Sequence, residues 1–126
     1  MIRSITPNLM VNSVEDSLAF YAQLGFAEIA SVPNADTGQL QFAICAQGDA
    51  MVMFQERACL VDEYPALAGA TGPSITLFIK VDDAAALAAE LKGKVPFAAE
   101  LHKTFYGADE FAVIDNSGSI VTFAQD

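Results

Sequence analysis

The sequence is poor in the residues that most often carry chemistry or cross-links. It holds one histidine, two cysteines and six Lys/Arg in 126 residues. A single histidine, His102, excludes a two-histidine-one-carboxylate iron site or a three-histidine zinc site built within one protomer. Cys45 and Cys59 form neither a disulfide framework nor a metal-binding spacing. Six bases against sixteen acids leave a net charge of −10, which repels phosphate backbones and anionic membrane surfaces. Nucleic acid is therefore not an expected partner, and a neutral or cationic one is. No run approaches the roughly 18 apolar residues of a membrane span. The opening MIRSITPNLM lacks the charged and long apolar regions of a signal peptide, so the expected compartment is the cytoplasm. A G-x-S-x-G elbow, a P-loop and an H-E-x-x-H helix are absent too.

What is present is apolar. Hydrophobic residues make up 53% and charged ones 17%, which excludes disorder and gives one domain, 1–126, a real core. An internal repeat organises it. Ile5, Thr6 and Val11 recur as Ile75, Thr76 and Val81 at an offset of 70, and Val52-Met53-Phe54 corresponds to Val121-Thr122-Phe123 at 69. Each copy opens with an alternating strand and enters a helix. Ser13 is the expected N-cap of the first, with Val14, Leu18 and Tyr21 at helical spacing and Gly25 as its stop. Asp82 or Asp83 caps the second, Leu87 and Leu91 belong to its stripe, and Gly93 ends it. Three strands follow each helix, at about 26–32, 39–46 and 50–56 and at about 95–101, 109–115 and 119–125. The reading is βαβββ (about 4–56), a linker of small residues (57–73), and βαβββ (about 74–125). Half-size modules bury too little alone, so they pair within a chain or with those of another chain.

Alternation assigns faces. Ile5, Leu9, Val11, Phe42, Ile44, Val52, Phe54, Ile75, Leu77, Ile79, Val81, Phe111, Val113, Val121 and Phe123 are expected beneath the helices. The opposite parity holds Thr6, Asn8, Met10, Cys45, Met51, Met53, Gln55, Thr76, Phe78, Lys80, Glu110, Thr122 and Ala124. That mixture suits a half-wet ligand cup, since methionine adapts to irregular apolar ligands and hydroxyls and amides fix their orientation. Phe105 and Tyr106, just before the seventh strand, are placed to stack on a flat ligand.

Ser17-Leu18-Ala19-Phe20-Tyr21 with Leu24-Gly25-Phe26 resembles the S-L-x-F-Y…LGF helix signature of the vicinal-oxygen-chelate superfamily, which includes glyoxalase I, extradiol dioxygenases and bleomycin resistance proteins. Tyr106-Gly107-x-x-Glu110-Phe111, then Asp115-x-x-Gly118, is similar to the YGxxEF…DPDG stretch of its bleomycin-resistance-like branch, with Asn116 and Ser117 in place of Pro and Asp. The resemblance implies an α+β glyoxalase-like fold: two βαβββ modules in a curved, cup-shaped mixed sheet, helices on the convex side. It implies a homodimer. The four positions where metal-using members carry ligands fall on Thr6, Met53, Thr76 and Thr122. None is a customary ligand, and the nearby amides of Asn8 and Gln55 bind transition metals poorly.

The expected function is thus a metal-free, cofactor-free small-molecule-binding protein without catalytic residues. It resembles bleomycin resistance proteins, in which an acidic cleft sequesters a cationic antibiotic. Its expected ligand-binding residues are Thr6, Asn8, Met51, Met53, Gln55, Thr76, Phe78, Phe105, Tyr106, Glu110 and Thr122. Glu110, the one acid of the cup parity inside a strand, is either an anchor, a base or a structural partner of Lys80. The alternative is a superfamily enzyme of lyase, isomerase or oxygenase type, with Glu110 as the catalytic candidate.

Overall fold

The computed structural model describes residues 1–73 and 75–126. The chain divides into two compact units, Met1–Pro73 and Ser74–Asp126. In the first, β1 (Asn8–Val11), α1 (Val14–Gln23), β2 (Ala27–Pro33), β3 (Leu40–Gln47) and β4 (Ala50–Glu56) precede a short helix α2 (Arg57–Glu63) and a 3-10 turn. In the second, β5 (Thr76–Lys80), α3 (Ala84–Leu91), β6 (Phe97–Lys103), β7 (Asp109–Ile114) and β8 (Ile120–Gln125) repeat the βαβββ order. The sheets are ordered β1-β4-β3-β2 and β5-β8-β7-β6. In each, the first strand runs parallel to the last and the other pairings are antiparallel. The edge strands β2 and β6 both carry register shifts against their neighbours, which blunt them as templates for another chain.

The helix ends form as the residues require. The Ser13 hydroxyl accepts the Asp16 amide at 3.1 Å, and Asp83 does the same for Ala86 at 3.0 Å. Gly25 follows α1 with φ +95°, its amide bonding Ala22 and that of Phe26 bonding Tyr21. A side chain at Gly25 would also put its Cβ 2.9 Å from the Gln47 amide nitrogen.

Tyr21 of α1 is the centre of the first unit's core, fully buried, with its ring 5.0 Å from that of Phe54 and 5.8 Å from that of Phe26. In the second unit Phe111 stacks on Phe97 at 5.4 Å and on Phe123 at 5.0 Å. These rings bury large apolar areas, the dominant favourable contribution to folding.

Three expectations are corrected. The alternating strand expected from Ile5 begins only at Asn8, because Pro7 has no amide to give to a ladder, although its carbonyl accepts the Met53 amide at 2.9 Å. Ile5 is left 87% exposed and Thr6 lies outside the sheet. The stretch read as a linker at 57–73 contains α2, capped by the Glu56 carboxylate and buried through Leu60. Arg57 holds the returning chain by donating to the carbonyls of Ala68 and Ala70.

The third correction is a change of face in β3. Ala43 pairs with Phe54 and Cys45 with Val52, whereas Phe42 opposes Gln55 and Ile44 opposes Met53. Directly paired residues share a face. Ala43 and Cys45 therefore lie beneath α1, and Phe42 and Ile44 turn away from it. The strand reads Leu-Gln-Phe-Ala-Ile-Cys-Ala-Gln, apolar on both parities, so alternation does not choose. Size does: small Ala43 and Cys45 leave room for Phe20 and Tyr21, both buried.

Phe54→Ala is expected to destabilise the protein by about 3–5 kcal/mol in urea unfolding, the range for emptying a buried aromatic site. Met51→Ala, on the other face of the same strand, is expected to stay within about 0.5 kcal/mol.

Candidate functional site

The faces of the two sheets turned away from α1 and α3 carry most of the expected site residues. On the first unit, β4 presents Met51, Met53 and Gln55, β3 adds Phe42 and Ile44, and β1 adds Asn8 and Met10. Met51 is exposed, while Met53, Phe42 and Ile44 are half-buried. Alternation assigns Phe42 and Ile44 to the opposite face. The register set by the Gln47–Ala50 hairpin, with Gly48 at φ +59°, places them. Cys45, expected on this face, is 1% exposed under the helix, where burial pushes its thiol up to about 11.

Two expected ligand residues are engaged with each other. The Asn8 amide donates to Gln55 Oε1 at 2.9 Å. Gln55 Nε2 donates in turn to Glu63 Oε1 at 3.2 Å and Cys59 Sγ at 3.3 Å. Helix α2 packs against β1 and β4, and Gln55 and Met10 are buried. The amides thus fasten α2 to the sheet, a polar network that satisfies a buried side chain.

On the second unit, Thr76, Phe78 and Lys80 of β5 oppose Ile120, Thr122 and Ala124 of β8, and the last two oppose Ala112 and Glu110 of β7. Phe78 is 57% exposed. Glu110 is 8% exposed and accepts a hydrogen bond from the Tyr106 hydroxyl. That bond holds the Tyr106 proton and raises the phenol above its ordinary range, with burial and the carboxylate charge adding to it. His102, exposed as expected, lies opposite Glu110 across β6 and β7, and its Nδ1 contacts the Glu100 carbonyl oxygen. Lys80 does not partner Glu110; it pairs with Asp126 at 2.9 Å. Phe105 and Tyr106 sit at the tip of the β6–β7 hairpin, their rings edge-to-face at 5.0 Å. Thr104 closes this tip by bonding Ala108 through both its amide and its hydroxyl.

The positions that supply metal ligands in the resembled family do not fit a metal. They carry three threonine hydroxyls and a thioether; Thr6 lies outside β1, Met53 faces Asn8, and Thr122 faces Phe78. Among the described residues no three His, Cys, Asp or Glu side chains gather where they could hold an ion. A cavity of about 590 Å³ opens elsewhere in the first unit, between the start of α1 and the β2–β3 turn. None of the expected residues lines it. Its polar groups serve the backbone: Glu15 accepts the Leu40 amide, and Asn34 accepts those of Asp36 and Thr37. No helix among the described residues is long and apolar enough to cross a membrane.

Two βαβββ units, each with a mixed sheet and helices on one side, define the glyoxalase-like fold class. Residues 3–123 match the Glyoxalase/Bleomycin resistance protein/Dioxygenase superfamily, and the chain belongs to it. Solved structures share the fold at low identity. TioX from Micromonospora sp. ML1 is 14% identical over 98% of both chains with a TM-score of 0.81. The hypothetical protein SA1046 from S. aureus is 19% identical over 100% of this chain and 95% of that one, with a TM-score of 0.76. A bleomycin-binding protein solved with bleomycin is 22% identical over 99% of each chain, with a TM-score of 0.66. No curated protein matches the chain.

The face assignment has a direct chemical check. At pH 8 iodoacetamide is expected to alkylate Cys59 in the folded protein and to leave Cys45 unmodified until denaturant is added, as read by peptide mass spectrometry. Equal modification of both would place Cys45 on the open face.

Proposed function

We propose that this protein binds a small molecule without chemical conversion and without a metal, in a cup to which the open sheet faces contribute and which a homodimer completes. The observation that carries this reading is the state of those faces. On the first unit's face Met51 remains exposed beside half-buried Met53, Phe42 and Ile44, and on the second unit's face Phe78 remains exposed. Apolar side chains clustered on a face and left open to water mark a binding surface. On the second unit's face Phe78 shares the ladder rows with Thr76, Thr122 and Glu110, polar groups of the number and kind that orient a ligand. Threonine hydroxyls and a thioether at the four family positions give a divalent metal no adequate donor set. Membership of a superfamily that includes a bleomycin-binding protein supports the same reading.

The test is titration of the purified protein with bleomycin and, separately, with anilinonaphthalene sulfonate, followed by calorimetry and by chromatography of the recovered compound. Saturable uptake of at least one of them, with the compound recovered unchanged, is expected. Uptake of neither, or recovery of a converted product, contradicts the proposal.

A further inference from the structure

The second unit's open face differs from the first in carrying a buried charge. Glu110 is more than nine-tenths buried, yet among the described residues it takes part in no ion pair. Three of the four lysines are paired with other acids: Lys80 with Asp126, Lys92 with Glu100 and Lys103 with Asp109. A carboxylate removed from water without a cation is held at a cost unless hydrogen bonds offset it. The bond given to Glu110 comes from one hydroxyl, that of Tyr106, and it engages one of the two carboxylate oxygens.

Around this acid the ladder register sets a floor of small side chains, with Ala112 and Ala124 buried, beside aromatic ones. Ala124 stands directly opposite Glu110 on β8, and Ala112 follows it by two residues on the same face. Thr122 and then Phe78 extend the row of Ala112 across β8 to β5. From β7 to β5 is two inter-strand spacings, about 10 Å, a span longer than a fused bicyclic ring. Phe78 stands at one end of that floor, and Tyr106, an exposed residue bonded to Glu110, stands at the other. Phe105, 100% exposed at the tip of a hairpin closed by three Thr104 bonds, extends the aromatic wall.

We infer that this face is a subsite for an aromatic amine, its ring lying on the Thr122–Ala112–Ala124 floor between Phe78 and Tyr106 and its ammonium on Glu110. The inference rests on the small-molecule-binding reading and names the chemistry that reading leaves open. The ammonium supplies the cation that Glu110 lacks. The Tyr106 hydroxyl keeps the carboxylate aimed at the floor and the ring faces supply stacking and cation–π attraction. A carboxylate at the same place on a ligand is repelled by Glu110, so the site discriminates by charge at one atom.

Tryptamine and indole-3-propionate are matched probes, and the protein has no tryptophan to mask indole fluorescence. Tryptamine is expected to bind at least tenfold more tightly than indole-3-propionate. Glu110→Gln is expected to remove that preference while leaving the circular dichroism spectrum unchanged, and Phe78→Ala to weaken both probes severalfold. Equal binding of the two probes by the unaltered protein, or a preference that survives Glu110→Gln, overturns the inference. If neither indole binds while anilinonaphthalene sulfonate does, the amine subsite fails and the broader binding function stands. If nothing binds, both fall.

Discussion

The register of β3 on β4 is the constraint from which the first unit's surface follows. Because Ala43 meets Phe54 and Cys45 meets Val52, the small side chains of one strand and the large ones of the next share the space beneath α1. Tyr21 fills what the small residues leave, against Phe54 and Phe26. A slip of one residue would exchange faces for the whole strand, driving Phe42 and Ile44 into a space occupied by Tyr21 and leaving Cys45 in the open. Core and candidate site are thus two sides of one pairing. Overpacking of a closed core opposes the exchange.

Much of this was legible in the residues. The repeat, the Ser13 cap, the Gly25 stop and the strand–helix order follow from short-range rules, because local hydrogen bonds and backbone angles decide them. On the open faces, Met51, Met53, Thr76, Phe78, Glu110 and Thr122 fall where period-two alternation puts them. What escaped was decided by tertiary fit. The Leu40–Gln47 strand is apolar on both parities, so only the volume under α1 distinguishes them. Helix α2 is too short for periodicity to reveal, and the Asn8–Gln55–Glu63 chain that anchors it joins residues far apart in sequence.

The two units answer the same geometry with different chemistry. Where the first sheet pairs Asn8 with Met53, the second pairs Phe78 with Thr122; where the first pairs Met10 with Gln55, the second pairs Lys80 with Ala124. In the first unit the polar members of these pairs are drawn into fastening α2. In the second they stay on the face, and an acid joins them at Glu110. The net charge of −10 therefore resolves into position. Glu15, Glu56, Asp83 and Asp115 accept backbone amides, and Asp109, Glu100 and Asp126 pair with lysines. Glu110 differs from these as a buried acid on an open face.

The division of the first sheet into a core face and an open face proposed to bind ligand is tested most directly by nuclear magnetic resonance of the methionine methyl groups during titration with anilinonaphthalene sulfonate. Met51 and Met53 stand on the open face, whereas Met10 shares their parity but is buried where α2 packs against β1 and β4. Shifts confined to Met51 and Met53, with Met10 unmoved, are the expected result. Saturable binding that moves Met10 and leaves Met51 and Met53 in place would contradict it.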